Sequence, residues 1–402
     1  MSKKVYIVEA KRTAIGSMLG SLKNVTPGEL GAEVVKDILK TTKLDPTKVD
    51  ELICGNILSA GQKQGVGRQV ELLAGIPFDV PAYSLNMICG SGMKAVINAY
   101  NDIKADFSNT VLAGGTEVMS NTPYLVSSNT RSGVKMGHFQ MLDHMIHDSL
   151  TDAFSGVHMG VTAENIAKKY NISREEQDEF ALASQQKAIK AIDDGLFKDE
   201  IVPITIKTKK EEFVFDTDEF PNRKTNLEKL AKLRPAFVKD GSVTAGNASG
   251  INDGAAFLLV ASEESLKENH LTPLVEIIGV GQGGVDPQYM GLGPVPAIRN
   301  ALKNANLTLK DIDIFELNEA FSAQSLGVIK ELTEEHHVDK DWLLERTNVT
   351  GGAIALGHPV GCSGARIMVT LIHNMIRNNK KIGLASLCIG GGMGTAVILK
   401  LI

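Results

Sequence analysis

Two segments of the sequence, CGSGMKAVINAY at 89–100 and GCSGARIMVTLIH at 361–373, share a Ser-Gly step followed by apolar residues at helical spacing. Ser91 of the first segment and Ser363 of the second are 272 residues apart. In each segment a turn rich in small residues leads into a predicted helix. The similarity indicates an internal repeat.

The same offset continues into the runs that follow. NTVLAGGTEV at 109–118 and KIGLASLCIGGG at 381–392 are apolar and short, as buried strands are. A third similarity relates NDGAAFLLVAS at 252–262 to GMGTAVILKLI at 392–402. Each repeat therefore predicts a helix followed by a strand. Short apolar runs alternate with helical patterns elsewhere too, which predicts the α/β class with a largely parallel sheet.

The first half contains more chain than the second, and the surplus is polar. We predict an N-terminal half of 1–120 plus 250–270, a C-terminal half of 271–402, and an inserted loop domain at 121–249. The insert carries a charged helical stretch from Ile172 to about Gly195. Inserts on the loops of a rigid α/β scaffold commonly bind substrate.

The composition is that of an ordinary globular chain of 402 residues, with 43% hydrophobic residues and a formal net charge of −5. Such a charge argues against a nucleic-acid partner, which requires clustered positive charge. The first apolar run stops at Glu9, too early for a secretory leader. The longest purely apolar stretch, 255–261, is too short to cross a bilayer. We expect a cytoplasmic protein with no membrane partner.

Cysteine is scarce, with four residues at Cys54, Cys89, Cys362 and Cys388. Four thiols without a C-x-x-C pair indicate neither a disulfide framework nor a structural zinc site. Asp143, His144 and His147 lack a second ligand pair at a standard spacing, so no metal is expected. A reducing compartment suits free thiols.

Cys89 lies where a β-like run ends, glycines turn the chain and a helix begins. A helix N-terminus favours thiolate, so this cysteine is a candidate nucleophile, and a buried inert cysteine is the alternative. His358 lies in the Gly-rich turn at 348–364, where an imidazole is available as a base near neutral pH. The repeat offset makes this turn the counterpart of the Cys89 turn. We therefore expect Cys89 and His358 to meet at the interface of the halves.

Cys388 and Asn318 complete the set of candidates. Cys388 ends a predicted strand and precedes a run of glycines. In this position the thiol can exchange a proton while the glycine amides bind an oxyanion. The alternative is that the glycines serve only the packing of the sheet. Asn318 stands where a strand ends and an apolar helix begins, so it either caps that helix or positions a water.

Four motifs together resemble the thiolase family over the whole chain: N-x-x-C-G-S-G at Cys89, N-E-A-F at Asn318, G-G-A-I-A-L-G-H-P at His358 and C-I-G-G-G at Cys388. VHMGVTAEN around His158 and VTAGNASGINDGAA around Ser249 resemble the biosynthetic branch, the acetyl-CoA acetyltransferases. The resemblance implies two duplicated βα halves in an α-β-α-β-α layered fold with a loop domain. It also implies a homotetramer, a dimer of dimers.

The resemblance further implies a reversible Claisen condensation of two acetyl-CoA to acetoacetyl-CoA and CoA. Cys89 carries the acetyl group, His358 accepts the Cys89 proton, and Cys388 removes the α-proton of the second acetyl-CoA. His358 and a water held by Asn318 bind the enolate oxygen. The backbone amides of Cys89 and Gly390 bind the oxyanion of the acetylated cysteine. No separate cofactor is implied, because the coenzyme A thioesters are the substrates.

The family resemblance also assigns a coenzyme A pocket. Its expected residues are Leu150, His158, Met159, Arg223, Phe237, Ala245, Ser249, Ile251, Met290, Ala320 and Phe321. Arg223 stands about one position from the arginine that family members direct at the CoA phosphates.

Three rival interpretations remain. One is a degradative 3-ketoacyl-CoA thiolase of fatty-acid oxidation, which cleaves longer acyl chains. A second, a β-ketoacyl synthase, fits less well because such enzymes use two histidines where this chain has Asn318 and Cys388. The third is a non-catalytic acyl-CoA or lipid-binding relative, which the presence of all four motifs disfavours.

Overall fold

The structure, a computed structural model, describes residues 3–207, 209 and 211–402. Its strands are β1 Val5–Thr13, β2 Gly16–Ser17, β3 Glu51–Gly55, β4 Ala82–Leu85, β5 Thr110–Val118, β6 Tyr124–Val126, β7 Met141–Asp143, β8 Ile201–Val202, β9 Ile204–Lys207, β10 Glu212–Phe215, β11 Asn252–Ser262, β12 Val275–Gly284, β13 Ile314–Leu317, β14 Ile382–Ile389 and β15 Met393–Leu401.

The α-helices are α1 Pro27–Thr42, α2 Val66–Leu73, α3 Ser91–Lys104, α4 Met159–Tyr170, α5 Arg174–Asp193, α6 Leu227–Ala231, α7 Glu263–Glu268, α8 Pro294–Ala305, α9 Ser322–His336, α10 Lys340–Arg346, α11 Ala353–Leu356 and α12 Val360–Arg377. Two long helices begin with reciprocal capping boxes. Thr26 and Glu29 cap α1, and Ser173 and Glu176 cap α5. Each box satisfies backbone N–H groups that a helix start leaves without partners.

The main sheet shows the predicted repeat. Its strand order is β13-β14-β15-β12-β1-β11-β5-β3-β4. In the first half β1 pairs antiparallel with β11, β11 antiparallel with β5, and β5 parallel with β3. In the second half β12, β15, β14 and β13 follow with the same pattern of directions. The corresponding strands β5 and β14 begin at Thr110 and Ile382, which are 272 residues apart. The predicted α/β fold of two duplicated halves is confirmed, but the prediction of a largely parallel sheet is wrong, because most neighbouring strands in this order pair antiparallel. Strand β14 turns back into β15 through residues 390–392, and so short a connection permits only an antiparallel pair.

Helices form layers on and between the two halves of the sheet. Helices α3 and α12 pack on each other and on strands of both halves. Helix α12 is buried on nearly every side, as a helix that is apolar all round must be. Helix α1 covers the outer face of the first half, and α8 covers that of the second. The result is the expected α-β-α-β-α arrangement.

The segment 121–249 leaves this scaffold after β5 and returns to it at β11. It contains the β6–β7 hairpin, α4, α5, the β9–β10 hairpin and α6. It is anchored to the first half, because β8 pairs in parallel with β1 and the buried Arg12 contacts Glu200 and Asp218. The boundaries proposed for the halves and the insert remain predictions. Within the described residues, no helix has the length and apolarity needed to cross a membrane.

Candidate active site

Cys89 lies in a tight turn immediately before α3. Ile88 has a positive φ of 45°, which is unusual for a β-branched residue. The hydroxyl of Ser91 holds this turn, because its Oγ accepts from the N–H of Met87 at 2.8 Å and donates to the carbonyl of Ile88 at 2.7 Å. The turn places the sulfur of Cys89 beside the first turn of α3 and on the wall of a large pocket.

The thiol of Cys89 is protonated at neutral pH in this environment. Burial raises its pKa to about 11, although the backbone N–H groups of Gly390 and of Cys89 itself act in the opposite direction. The expected preference for thiolate at a helix N-terminus is therefore outweighed by desolvation. A nucleophilic Cys89 needs a neighbouring base to take its proton.

His358 lines the same pocket as Cys89. Its backbone N–H donates to Oδ1 of Asn252 at 3.0 Å, and its Nδ1 lies 2.6 Å from Oγ of Ser363. Its Nε2 is buried and has no hydrogen-bond partner among the described residues. Burial, with a smaller contribution from Arg366, lowers the pKa of His358 to about 4. The imidazole is therefore neutral at pH 7 and has a nitrogen free to take part in proton transfer.

Cys388 and Asn318 come from neighbouring strands of the second half. Cys388 lines the pocket, and burial together with the proximity of Cys89 raises the pKa of its thiol. Asn318 follows β13, and its N–H donates to the carbonyl of Ser386 on β14 at 3.0 Å. Its side-chain Oδ1 and Nδ2 are buried without partners in the part of the chain that the structure describes. The side chain of Asn318 therefore does not cap α9.

The pocket that Cys89, His358 and Cys388 share has a volume of about 590 Å³, and Asn318 is not among the residues that line it. Gly390 and Ile88 form its wall next to Cys89. Of the residues predicted to bind coenzyme A, those on its lining are Leu150, His158, Met159, Phe237, Ala245, Ser249, Ile251, Met290, Ala320 and Phe321. The sequence analysis missed further lining residues, namely Ser17, Met18, Ile88, Met119, Ser149, Phe220, Ala236, Ala248, Gly250 and Val360. Most of these are small or apolar residues in loops, and such positions have no distinctive pattern in a single sequence.

One side of the pocket is an aromatic wall. The rings of His158 and Phe237 stack with their centroids 4.7 Å apart, and Phe237 meets Phe321 edge to face at 6.0 Å. Nδ1 of His158 accepts from the N–H of Gly160 at 3.0 Å, which fixes the ring at the start of α4. The loop at 247–249 pairs with the loop at 320–322 and closes this wall. The wall suits the apolar arm of an acyl thioester.

Arg223 does not line this pocket. Its guanidinium is exposed and makes two hydrogen bonds to the carboxylate of Asp193, at 3.0 and 2.6 Å. Its assignment to the CoA phosphates therefore stays a prediction.

Two further side chains hold the loop that carries His358, and the sequence analysis did not identify either. Asn252 accepts from the backbone of His358, and Glu117 accepts from the backbone N–H of Gly361 at 3.0 Å. Both lie in fully buried strands of the first half. The sequence held one signal for these residues, because Glu117 and Asn252 are polar residues within apolar runs. A polar residue in a buried strand must have a partner, and this marks the position as special.

The segment near the pocket also contains hydrogen-bonded histidines. Asp148 accepts from His144 at 2.7 Å and from His147 at 2.5 Å. Across the described residues, no three His, Cys, Asp or Glu side chains are grouped so that they could hold a metal ion.

The fold, and the pocket that two thiols and an imidazole share, indicate the class to which the chain belongs. The family model for the N-terminal domain of thiolase matches residues 5–264, and the model for the C-terminal domain matches residues 271–401. The chain belongs to the thiolase family of enzymes.

Individual relatives are similar over their full length. The chain is 52% identical over 396 residues to a Pseudomonas aeruginosa acetyl-CoA acetyltransferase. This alignment covers 98% of each of the two chains. It matches the crystal structure of a Bacillus anthracis acetyl-CoA acetyltransferase with a TM-score of 0.95 and 46% identity, covering 100% and 99% of the two chains. It also matches the crystal structure of human mitochondrial 3-ketoacyl-CoA thiolase in complex with CoA, with a TM-score of 0.92 and 44% identity. The match covers 100% of this chain and 98% of the human chain.

Proposed function

We propose that this protein is an acetyl-CoA C-acetyltransferase that reversibly condenses two acetyl-CoA to acetoacetyl-CoA and CoA by a ping-pong mechanism. The observation that carries the proposal is that Cys89, His358 and Cys388 line one pocket, in which Nε2 of His358 is without a partner among the described residues. The names of the relatives support acetyl-CoA as the substrate.

In the first half-reaction the sulfur of Cys89 attacks the thioester carbonyl of acetyl-CoA. The S–H bond of Cys89 breaks and its proton passes to Nε2 of His358, because the thiol with a pKa of about 11 cannot ionise unaided. The C–S bond to CoA then breaks, and the CoA thiolate takes the proton from His358. The N–H groups of Cys89 and Gly390 stabilise the oxyanion of the acyl group held on Cys89, consistent with their effect on the pKa of this sulfur.

In the second half-reaction a second acetyl-CoA enters, and the sulfur of Cys388 removes a proton from its methyl carbon. The carbanion attacks the acetyl carbonyl on Cys89, a C–C bond forms and the bond to the Cys89 sulfur breaks. The enolate oxygen is bound by His358 and by a water that the unpartnered side chain of Asn318 holds. Cys388 rests as a thiol and becomes the thiolate that acts here by giving its proton to neutral His358, which passes that proton to the Cys89 thiolate when its bond to the acetyl group breaks.

The two thiols can be assigned to the two half-reactions by substitution. Cys388→Ser is expected to accept the acetyl group on Cys89 but to lose condensation by more than about 100-fold, because a serine hydroxyl is a much weaker acid than a thiol. Cys54→Ser is the matched control, since Cys54 is buried, does not line the pocket and donates to the carbonyl of Gly55. Normal condensation by Cys388→Ser would assign the α-proton to another base.

A degradative 3-ketoacyl-CoA thiolase is the second candidate, and the match to the human mitochondrial enzyme of that name favours it. Thiolysis rates for 3-ketoacyl-CoA substrates of 4 to roughly 16 carbons distinguish the two. Our proposal expects the 4-carbon substrate to be cleaved best. A non-catalytic acyl-CoA or lipid-binding protein, the third candidate, is expected to cleave none of them.

We further propose that the chain forms a homotetramer, a dimer of dimers, and that it works in the cytoplasm without a separate cofactor. Support for self-association comes from the hairpin segment at 124–141. It exposes large apolar side chains at Tyr124, Val126, Met136, Phe139 and Met141. Such a patch on a soluble protein usually marks an interaction surface. Light scattering of the intact chain and of Met136→Glu with Phe139→Glu tests this, and an unchanged mass would exclude the hairpin from the assembly.

A further inference from the structure

We propose that Ser363 is a positioning residue that fixes the tautomer of His358, so that the lone pair is on Nε2 and not on Nδ1. The proposal rests on the proposed function, in which Nε2 accepts the Cys89 proton. It assigns a role to a side chain that does not line the pocket.

The hydrogen bonds of the Ser363 hydroxyl decide the direction of the contact with the ring. Oγ of Ser363 donates to the carbonyl of Pro359 at 2.9 Å. A hydroxyl has one hydrogen, so Oγ can only accept in its second contact, at 2.6 Å from Nδ1 of His358. With the hydroxyl hydrogen on the carbonyl of Pro359, the contact pairs with a ring hydrogen on Nδ1. In a neutral imidazole the other nitrogen, Nε2, then has the free lone pair.

The opposite tautomer is disfavoured in the same place. It would put the lone pair of Nδ1 against Oγ of Ser363, which would have to withdraw its hydrogen from the carbonyl of Pro359. The opposite tautomer would also place an N–H on Nε2, which could not accept the Cys89 proton.

No other contact found in the described residues sets the tautomer. Asn252 holds the backbone N–H of His358 and not its ring. Nε2 has no partner in the same described part of the chain. Ser363 is completely buried and the ring of His358 nearly so, which leaves little access for solvent to replace the contact. The tautomer of the His358 ring therefore depends on the hydroxyl of Ser363.

The test compares Ser363→Ala, Ser363→Thr and Ser325→Ala with the wild-type protein. Ser325 is the matched control, because its side chain is also buried on a helix of the second half and its Oγ has no partner among the described residues. Four quantities are measured for each protein: kcat and KM with acetyl-CoA, the single-turnover rate of Cys89 acetylation, and the melting temperature. The rate of Cys89 alkylation by iodoacetamide at pH 7 is measured without substrate.

Loss of the hydroxyl is expected to slow proton transfer and to leave binding unchanged. For Ser363→Ala we expect kcat and the acetylation rate to fall about 10- to 100-fold, with KM within about twofold, because a misoriented base forfeits part of the contribution of general-base catalysis. Alkylation of Cys89 should slow in parallel. Ser363→Thr, which keeps the hydroxyl, should recover most of the rate, and Ser325→Ala should match the wild type.

Two other results would contradict the proposal. Equal acetylation and alkylation rates for Ser363→Ala and the wild type would show that Ser363 does not orient the base. The proposal is also contradicted if the acetylation rate falls in Ser363→Ala and stays low in Ser363→Thr. An equal fall in Ser325→Ala would contradict it too, because both results indicate an effect of packing. Failure of the proposed function gives a separate result, since the wild-type protein itself would then not be acetylated by acetyl-CoA.

Discussion

The backbone N–H of Gly361 donates to Oε2 of Glu117 at 3.0 Å, although the two residues are 244 positions apart in sequence. The same carboxylate accepts from the N–H groups of Ile57 and Leu58 and from the side chain of Asn56. It therefore joins the loop that carries His358, in the second half, to the first half, which carries Cys89. This buried acid helps to fix the position of His358, the proposed base, relative to Cys89, the proposed nucleophile.

The first prediction removes this connection. In Glu117→Gln the amide group cannot accept hydrogen bonds at its nitrogen, so at least one of the N–H groups loses its partner. We expect kcat to fall about tenfold or more with KM nearly unchanged, because a small displacement of a catalytic group is costly. Steady-state kinetics measure this against Glu33→Gln, an exposed surface control. Full activity in Glu117→Gln would show that Glu117 does not position His358.

The second prediction concerns the pH dependence of stability. Burial raises the pKa of Glu117 to about 7 from its ordinary value of 4.5. The folded state then holds this proton more tightly than the unfolded state. The resulting stability is fully present below about pH 4.5 and is lost as the pH rises through about 7, by about 3 kcal/mol in all.

Urea unfolding at pH 5 and pH 8 measures this loss. We expect the decrease in the free energy of unfolding between these two values to be smaller in Glu117→Gln than in the wild type. Equal decreases in the two proteins would mean that Glu117 keeps its ordinary pKa in the fold.

The third prediction concerns the aromatic wall. A Cβ at Gly160 would overlap the ring of Phe237, which stacks on His158. Although alanine is favoured over glycine within a helix by about 1 kcal/mol, Gly160→Ala should displace this ring and raise the KM for acetyl-CoA about tenfold. Gly284→Ala, whose added methyl would have 3.7 Å to its nearest neighbour, is the control. An unchanged KM in Gly160→Ala would mean that the ring of Phe237 does not contact the substrate.

The fourth prediction concerns the attachment of the insert. Arg12 is fully buried and contacts Asp218 at 2.7 Å and Glu200 at 2.6 Å. Arg12→Ala leaves both carboxylates buried without their cation, which should cost about 3–5 kcal/mol in unfolding free energy. Arg223→Ala removes an exposed ion pair instead and should leave the urea midpoint unchanged. Similar midpoints for the two variants would show that Arg12 does not stabilise the insert on the scaffold.

Much of the scaffold followed from the sequence, because buried strands and helices leave periodic apolar patterns. The offset between Ser91 and Ser363 predicted the equivalence of α3 and α12 and of β5 and β14. The sequence motifs singled out Cys89, His358 and Cys388, which line one pocket, while their catalytic roles stay a prediction. Such motifs combine turns, glycines and reactive side chains in short segments that a single sequence displays directly.

Other parts of the site could not be obtained in this way. Glu117 and Asn252 act through partners more than 50 residues away, and no local pattern encodes those contacts. The pKa of Cys89 depends on how deeply the fold buries the sulfur, which the position at a helix start did not reveal. The ion pair of Arg223 with Asp193 likewise joins residues 30 positions apart. These features arise from tertiary packing.

The most direct test of the central claim is incubation of the intact protein with acetyl-CoA, followed by peptide mass mapping. The account predicts an acetyl group on Cys89 and on no other cysteine, with release of one CoA for each acetyl group bound. Addition of CoA should remove the label and regenerate acetyl-CoA. Acetylation at Cys388 or Cys362 instead, or no acetylation at all, would contradict the proposed mechanism.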